Sequence, residues 1–168
     1  MKKQIQLIES KNIYDYTNAI DGLFEDEGFG YPFVETMLIW CGVMTSKPDG
    51  KFWQVWVIKY GDKKIGVCGL FSHSKKTNEL WLGWFGIHPK FRNKKLGSQV
   101  LVWMENHAKQ LGCNKILSYV DKRGKPLPFY YKQGYKKSGT VKQYLKSNPK
   151  ANRDEFEDLQ DYVIYKSI

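Results

Sequence analysis

The sequence predicts an α+β domain, with a mixed, mostly antiparallel central sheet of about seven strands and helices on both faces. Runs that alternate in polarity, or that are rich in aromatic and β-branched residues, recur along the chain and indicate strands. Segments with apolar residues at helical spacing lie between them. At 168 residues and 42% hydrophobic content, we expect one domain over residues 1–168 with a single substantial core.

The first third of the chain is expected to hold one strand and two helices. KQIQLIE alternates polar and apolar residues, which predicts a strand over 3–8. Ser10 is a suitable N-cap for a helix over 11–24, and Pro32 is suited to open a second helix over 32–44.

The middle of the chain predicts three antiparallel strands of a meander. They cover 52–60, 65–73 and 79–87 and are separated by the turns GDKK and KKTN. The remaining segments alternate in type: a helix over 96–112, a strand over 115–120, a short helix over 126–133 and two strands near 135–145 and 161–167.

Positive charge is concentrated in one part of the chain. Residues 90–150 contain 15 Lys or Arg and only two acids, Glu105 and Asp121, a net charge of +13, whereas the remainder nets −3. This segment is expected to meet an anion such as a nucleotide phosphate, a nucleic acid or a membrane surface, although lysine that only aids solubility is the simpler alternative. No apolar run reaches the roughly 18 residues of a membrane-spanning helix, so we expect no membrane partner.

The cysteines indicate a reducing compartment. Cys41, Cys68 and Cys113 are odd in number, widely spaced and set among apolar residues, which favours buried free thiols over metal ligands or nucleophiles. The opening MKKQIQLIE turns polar too soon for a signal peptide. We therefore expect a cytoplasmic protein without a metal site.

Residues 88–99, HPKFRNKKLGSQ, join the third strand of the meander to a helix. The first turn of a helix carries unpaired N–H groups and about half a positive charge, which suits a phosphate. Arg92, Lys94 and Lys95 add positive charge, and Gly97 allows a ligand to approach the backbone closely. On spacing alone, a solvated basic helix start is an equal alternative.

Three segments, in the same order, resemble the GCN5-related N-acetyltransferase (GNAT) superfamily. The stretch from Ile87 resembles the family's pyrophosphate-binding segment V/I-x-P-x-x-R/Q-x-x-G-x-G/A, except that Lys95 stands at the first Gly. PFYYKQGY at 128–135 resembles a later x-L/F-Y-x-x-x-G-F/Y segment, and the final DYVIYKSI resembles the closing strand. The chain is identified as a member over residues 3–168.

The resemblance implies a GNAT fold whose fourth and fifth strands splay apart to admit acetyl-CoA, the acyl donor. Backbone groups of Phe85 and Ile87 would pair with its pantetheine arm. The pyrophosphate would be bound by the following turn, consisting of Arg92, Asn93, Lys94, Lys95, Leu96, Gly97 and Ser98. If the backbone must be left-handed at Lys95, as Gly allows, the lysine costs roughly 1–2 kcal/mol.

The resemblance also implies a catalytic tyrosine. Tyr130 matches the position from which the family supplies a proton or a hydrogen bond to the departing thiolate, and its ordinary pKa of about 10 keeps it protonated. Tyr131 is the neighbouring competitor and would point about 100° away around a helix.

A general base is harder to assign. The family often places Glu or His on the fourth strand. The positions in phase with Ile87, counted back by twos, are Phe85, Gly83, Trp81 and Glu79. Only Glu79 among them can accept a proton, and His73, Asp121, a bound water or an amine that arrives neutral are alternatives.

The acceptor is expected to meet the loop FEDEGFGYPF between the first two helices. Its acids and aromatic residues suit an ammonium group, through ion pairs and cation–π contacts. The expected substrate-binding residues are Glu25, Glu27, Phe29, Tyr31 and Trp84. An acidic helix end followed by a turn is the simpler explanation of the same residues.

The predicted function is an acetyl-CoA-dependent N-acetyltransferase that acts on the primary amine of a small molecule, by direct attack in a ternary complex. One alternative is a catalytically weakened GNAT-like module that binds CoA or nucleic acid through its basic surface. Another is a protein or peptide amine acetyltransferase. The expected partners are a CoA thioester and an amine acceptor, a cationic one included; nucleic acid is disfavoured and a homodimer is left open.

Overall fold

The computed structural model describes residues 4–10, 53–72, 78–123, 125–149, 151, 153, 156 and 158–168. The strands are β1 Ile5–Glu9, β2 Trp53–Tyr60, β3 Lys63–Phe71, β4 Glu79–Ile87, β5 Lys115–Val120, β6 Lys136–Thr140 and β7 Tyr162–Ser167. The helices are α1 Leu96–Gln110, α2 Leu127–Lys132 and α3 Val141–Ser147, with a short 3-10 helix at Pro89–Phe91. The helices predicted over 11–24 and 32–44 lie outside the described residues.

All seven strands belong to one sheet in the order β1-β2-β3-β4-β5-β7-β6. Every neighbouring pair is antiparallel except β4 and β5, which are parallel. A parallel pair needs a long crossover, and α1 supplies it. The predicted mixed, mostly antiparallel sheet is therefore confirmed.

Each face of the sheet carries its own core. Neighbouring residues of β7 divide between the two, since Ile164 packs in one core and Val163 in the other. On the first face α1 contributes buried Leu96, Val100, Leu101 and Met104. On the second face Val141 of α3 packs with Phe156 and Trp81. Helices thus cover both faces, as predicted.

The strand predicted near 135–145 is wrong in its second half. β6 ends at Thr140, and α3 begins at Val141. The Thr140 hydroxyl accepts a hydrogen bond from the Gln143 N–H, while the Gln143 side chain accepts one from the Thr140 N–H at 2.8 Å. This capping box is readable in the sequence as T-V-K-Q, and it starts the helix.

Within the described part of the chain, no helix is both long and apolar enough to span a bilayer.

We expect Gly66→Ala to destabilise the end of β4, where the candidate site begins. A methyl group on Gly66 would overlap the carbonyl oxygen of Gly86 and lie 3.1 Å from the Cα of Ile87. Because these are backbone atoms, the strands must separate, at a cost of roughly 1–3 kcal/mol in the free energy of unfolding. Urea denaturation measures this, with Lys64→Ala on the exposed part of β3 as the control. A Gly66→Ala protein as stable as the wild type would contradict the packing described.

Candidate functional site

The candidate site is built around the gap between β4 and β5. The two strands pair over three residues, the last pair being Trp81 and Leu117. Beyond it, among the described strands, β4 is paired only with β3, and β5 only with β7. The predicted splay is thus confirmed. The facing edges offer backbone N–H and C=O groups to an extended ligand, which can pair with an open strand edge.

A β-bulge interrupts β4 beside this gap. The β3–β4 register shifts by one residue between Val67 and Gly69, so that the backbones of Trp84 and Phe85 both lie opposite Cys68. A bulge adds one residue to a strand and therefore reverses the alternation of its faces from that point on.

The bulge corrects the count by twos along β4. Phe85 and Ile87 pack in the same core as Leu82, whereas Trp81 lies in the core on the other face. The prediction that Phe85 shares a face with Trp81 and Glu79 is therefore wrong, because it assumed an unbroken alternation.

The phosphate turn predicted from the sequence begins where β4 ends. The His88 N–H donates to the Ile65 carbonyl on β3 at 2.8 Å, and the short 3-10 helix follows. The Arg92 Nε then reaches back to the last residue of β4 and donates to the Ile87 carbonyl at 2.7 Å. These two hydrogen bonds tie both ends of the turn to the sheet edge.

The helix after the turn begins without a side-chain cap. Its first internal hydrogen bond runs from the Gln99 N–H to the Lys95 carbonyl, at 3.2 Å. The preceding N–H groups, of Leu96, Gly97 and Ser98, therefore lie outside the ladder of helix hydrogen bonds. With the positive end of the helix dipole and the Lys94 ammonium in the same turn, they form a site suited to an anion such as pyrophosphate.

Two residues of this turn have left-handed backbone conformations, Asn93 with φ 61° and Lys95 with φ 59°. Asparagine adopts this conformation readily, whereas for lysine it is unfavourable by roughly 1–2 kcal/mol. The turn therefore keeps the backbone shape that a glycine would allow, with a cationic side chain in the glycine's place. Strain of this kind is commonly retained where a backbone must present its amides to a ligand.

An aromatic pair bridges the two sides of the gap. Phe85 on β4 and Phe129 on α2 have ring centroids 6.0 Å apart. Gly97 at the start of α1 lies over them, since a Cβ there would meet Phe129 ring carbons at 3.6 Å and the Phe85 Cζ at 3.7 Å. The helix start, β4 and α2 are thus held at a fixed spacing.

Tyr130 points inward from α2, and Tyr131 points outward. Tyr130 is 7% exposed and Tyr131 46%. The Tyr130 hydroxyl lies beside the side chain of Ser118, the first β5 residue beyond the Leu117 pair. Burial raises the pKa of Tyr130 to about 12, against the smaller opposing effect of the Ser118 side chain. A protonated hydroxyl is thereby fixed where the strands part.

A buried ion pair lies behind Tyr130. Glu105 of α1 accepts a hydrogen bond from the Lys166 Nζ of β7 at 2.7 Å, and its side chain is only 10% exposed. The Tyr135 hydroxyl lies beside Glu105, and burial followed by the carboxylate charge raises the pKa of Tyr135. The ring centroids of Tyr130 and Tyr135 are 5.4 Å apart, so the ion pair lies beside the tyrosine that packs against Tyr130.

The candidate bases within the described residues are engaged elsewhere. Glu79 forms an ion pair with Lys115 at 2.9 Å, at the closed end of β4 and roughly 20 Å along the strand from Phe85. Asp121 accepts hydrogen bonds from Arg123, which lower the pKa of Asp121 to about 2. A carboxylate with so low a pKa is a weak proton acceptor.

The remaining predicted residues are not placed by the structure. Glu25, Glu27, Phe29 and Tyr31, and the alternative base His73, lie outside the described residues. Only the backbone of Trp84 is described, at the bulge in β4.

Three residues of the site were not predicted from the sequence: Ser118, Glu105 and Lys166. Nothing local marks Ser118, because its partner Tyr130 reaches it only when α2 packs on the sheet. Glu105 carried a usable signal, since it is one of two acids in the basic segment and its helix neighbours Met104 and Ala108 are core residues.

A parallel strand pair that opens into a gap, a helix start that presents free amides beside it and a buried tyrosine across it together define a CoA-dependent acyltransferase fold. A sequence profile described as "Acetyltransferase (GNAT) domain" matches residues 51–137. The chain belongs to this GNAT family, in which acetyl-CoA is the acyl donor.

One curated relative is the aminoalkylphosphonate N-acetyltransferase of Salmonella typhimurium (strain LT2), which is 33% identical over 78 residues. That match covers 44% of this chain and 51% of the relative, so the chain spans about half of the relative's length.

Solved structures share the fold along the whole chain. The PaiA N-acetyltransferase of Thermoplasma acidophilum, in complex with coenzyme A, gives a TM-score of 0.65 at 15% identity and is covered completely, as is this chain. An acetyltransferase of Streptococcus agalactiae gives 0.67 at 19% identity, covering 100% of this chain and 99% of the other. A Bacillus subtilis acetyltransferase in complex with CoA gives a TM-score of 0.62 at 18% identity, and the match covers 99% of each chain.

We expect Lys95→Gly to raise stability while it weakens coenzyme A binding. Relief of left-handed strain, reduced by the greater chain entropy of glycine in the unfolded state, leaves a gain of roughly 0.5–1 kcal/mol in the free energy of unfolding. Lys95→Ala removes the same ammonium and keeps the strain, so it should lose affinity equally and gain no stability. Urea denaturation and calorimetric titration with coenzyme A separate the two effects. A Lys95→Gly protein less stable than Lys95→Ala would show that the strain is absent.

Proposed function

We propose that this protein transfers the acetyl group of acetyl-CoA to the primary amine of a small molecule, in one step within a ternary complex. The observation that carries the proposal is the position of the buried Tyr130 hydroxyl, beside Ser118 where β4 and β5 part. There it faces the stretch of the gap that an extended thioester arm would occupy.

The residues around the gap suit a CoA thioester. The amides of Leu96, Gly97 and Ser98 and the Lys94 and Lys95 ammonium groups would bind the pyrophosphate. The β4 edge at Phe85 and Ile87 would pair with the amides of the pantetheine arm. When bound, acetyl-CoA supplies an activated acyl group, and the new C–N bond forms as the C–S bond breaks.

Tyr130 would act chiefly as a hydrogen-bond donor to the departing sulfur. With a pKa of about 12, it lies about 3.5 units above an ordinary thiol, so full proton transfer would be uphill by roughly 5 kcal/mol. A fixed donor still stabilises the developing negative charge without giving up its proton. The proton that the thiolate finally takes then comes from the amine or from solvent.

The transfer would need no enzyme-bound acyl group. Of the cysteines within the described ranges, Cys68 and Cys113 are both buried, and burial raises the pKa of each thiol. Such thiols are poor nucleophiles, as expected from the sequence. Direct attack by the acceptor amine is therefore favoured over a two-step route.

Among the described residues, Glu79 and Asp121 have partners at the edges of the site. The amine would then arrive neutral, or it would pass its proton to a bound water or to His73, which lies outside the described residues. The partial relative acts on aminoalkylphosphonates, which are small primary amines with an anionic group. That chemistry agrees with the basic segment 90–150, whereas the acidic loop predicted to bind the acceptor would favour a polyamine or an aminoglycoside.

A thiol-release assay with acetyl-CoA tests the proposal. The acceptor panel should contain aminoalkylphosphonates, polyamines, aminoglycosides and lysine-containing peptides at matched concentration. We expect a small primary amine to stimulate coenzyme A release. Stimulation by peptides alone would assign the acceptor to proteins, and the absence both of release and of a thermal shift with coenzyme A would reject the enzyme.

We expect Tyr130→Phe to lower kcat by roughly a hundredfold or more, because a preorganised donor to the leaving group is lost. The Kd for acetyl-CoA, measured by calorimetry, should change by less than about threefold, since the ring and its packing remain. Tyr131→Phe, on the exposed side of the same helix, is the matched control and should behave as the wild type. Equal losses of kcat and of affinity in Tyr130→Phe would mean that the hydroxyl has a binding role instead.

The rate should rise with pH as the acceptor amine becomes neutral. No decrease in rate is expected at any pH up to about 11. The protonated hydroxyl is the active form of Tyr130, and burial moves its loss from about pH 10 to about 12. A profile of kcat from pH 6 to 11 checks this, over the range in which the protein stays folded. A falling limb centred near pH 10 that disappears in Tyr130→Phe would show an ordinary, exposed tyrosine.

A further inference from the structure

The hydrogen bond between Arg92 and the end of β4 gives the phosphate turn a defined shape. The Arg92 Nε donates to the Ile87 carbonyl at 2.7 Å, across five residues and in a partly buried position. The carbonyl belongs to the last residue of β4, so the bond closes a ring at the point where the strand stops.

Two other features make this ring the base of the anion site. The His88 N–H is fixed to the Ile65 carbonyl at 2.8 Å, which holds the start of the turn on β3. Directly after Arg92 come the two left-handed residues, Asn93 and Lys95, and then the first amides of α1, which lie outside the ladder of helix hydrogen bonds. Arg92 is therefore the last residue anchored to the sheet before the strained segment.

We infer that Arg92 is a positioning residue, whose Nε closes the turn and aims the amides of residues 96–98, and that its positive charge is secondary. This goes beyond the sequence-based assignment of Arg92 as a cofactor-binding charge, and it rests on the proposed use of a CoA thioester. A turn already held in its binding conformation loses less conformational entropy when it binds, which strengthens binding without a new contact.

The chemistry of the side chains separates the two roles. The Nε2 of glutamine stands the same number of bonds from Cα as the Nε of arginine, so Arg92→Gln keeps the donor and removes the charge. Arg92→Lys keeps the charge but places a methylene group where the donor was. Arg92→Met removes both. A charge-based role predicts that lysine replaces arginine best, whereas a positioning role predicts that glutamine does.

The experiment is calorimetric titration of the full-length variants with coenzyme A at low and at moderate salt, together with acetyl-CoA kinetics. We expect Arg92→Gln to bind within about threefold of the wild type, with a similar dependence on salt. Arg92→Lys and Arg92→Met should bind roughly ten- to a hundredfold more weakly, the range for a lost hydrogen bond from a charged group. The KM for acetyl-CoA should rise in Arg92→Lys and Arg92→Met and stay near the wild-type value in Arg92→Gln, while kcat at saturation should be unchanged in all three.

Lys90→Gln is the control for charge removal. Lys90 is exposed and lies in the same turn, and its hydrogen bond to the His88 Nδ1 is made by the backbone N–H, which glutamine keeps, so the loss of charge alone should leave the affinity nearly unchanged. Thermal unfolding checks that each variant is folded, and if Arg92→Lys fails to fold, the comparison of Arg92→Gln with Arg92→Met decides.

A loss of affinity in Arg92→Gln as large as that in Arg92→Met would overturn the inference, because the isosteric donor would then be of no use. Unchanged affinity in all three variants would overturn it as well. Both results leave the acetyltransferase proposal standing, whereas a wild-type protein that binds no coenzyme A would reject that proposal first.

Discussion

β4 and β5 are joined through the Trp81–Leu117 pair and then separate, and the rest of the site depends on this separation. Backbone N–H and C=O groups inside a sheet are normally paired, so two facing strand edges require a partner. Water can provide one, but an extended chain with its own amide groups provides a better ordered one. The backbone of the two strands alone therefore suits the shape and polarity of an extended, amide-containing ligand.

Each side of the gap has a neighbouring strand of its own, since β3 pairs with β4 and β7 pairs with β5. The two cores, by contrast, are shared. The core under α1 includes Ile87 of β4 and Ile116 of β5, and the opposite core includes Trp81 of β4 and Leu117 of β5. Trp81, at the last shared pair, contacts Tyr144 of α3 with ring centroids 5.0 Å apart. Each strand is thus held beside the gap by its own neighbour in the sheet and by the core on each face.

Burial has opposite consequences for the groups that surround the gap. It raises the pKa of Tyr130 further above physiological pH, where an ordinary tyrosine is already protonated. It also requires that Glu105 be paired, and Lys166 meets that need at 2.7 Å. The strained Lys95, by contrast, is exposed and carries its cost in the backbone. The site therefore combines a buried tyrosine with a phosphate turn that is strained at an exposed lysine.

The sequence was sufficient for the features that local patterns determine. Most strands and α1 follow from spacing, whereas the choice of Tyr130 and the left-handed backbone at Lys95 follow from the family motifs in which they stand. The helix α3 was missed because the predicted strand was continued to 145, although Thr140 and Gln143 form a readable capping box. The loop expected to bind the acceptor, including Glu25, lies outside the described residues, so its assignment stays a prediction.

The register between paired strands could not be predicted from the sequence, and it matters most for the chemistry of the site. The bulge opposite Cys68 exists only once β3 and β4 are paired, yet it decides on which face of the sheet each later β4 residue lies. A count along the strand alone therefore led to Glu79, at the closed end and paired with Lys115. Among the described groups near the gap, Tyr130, Ser118 and the amides of α1 are all hydrogen-bond donors. A site of donors stabilises a leaving anion well and deprotonates an amine poorly, so the acceptor's own pKa would set how much of it can react.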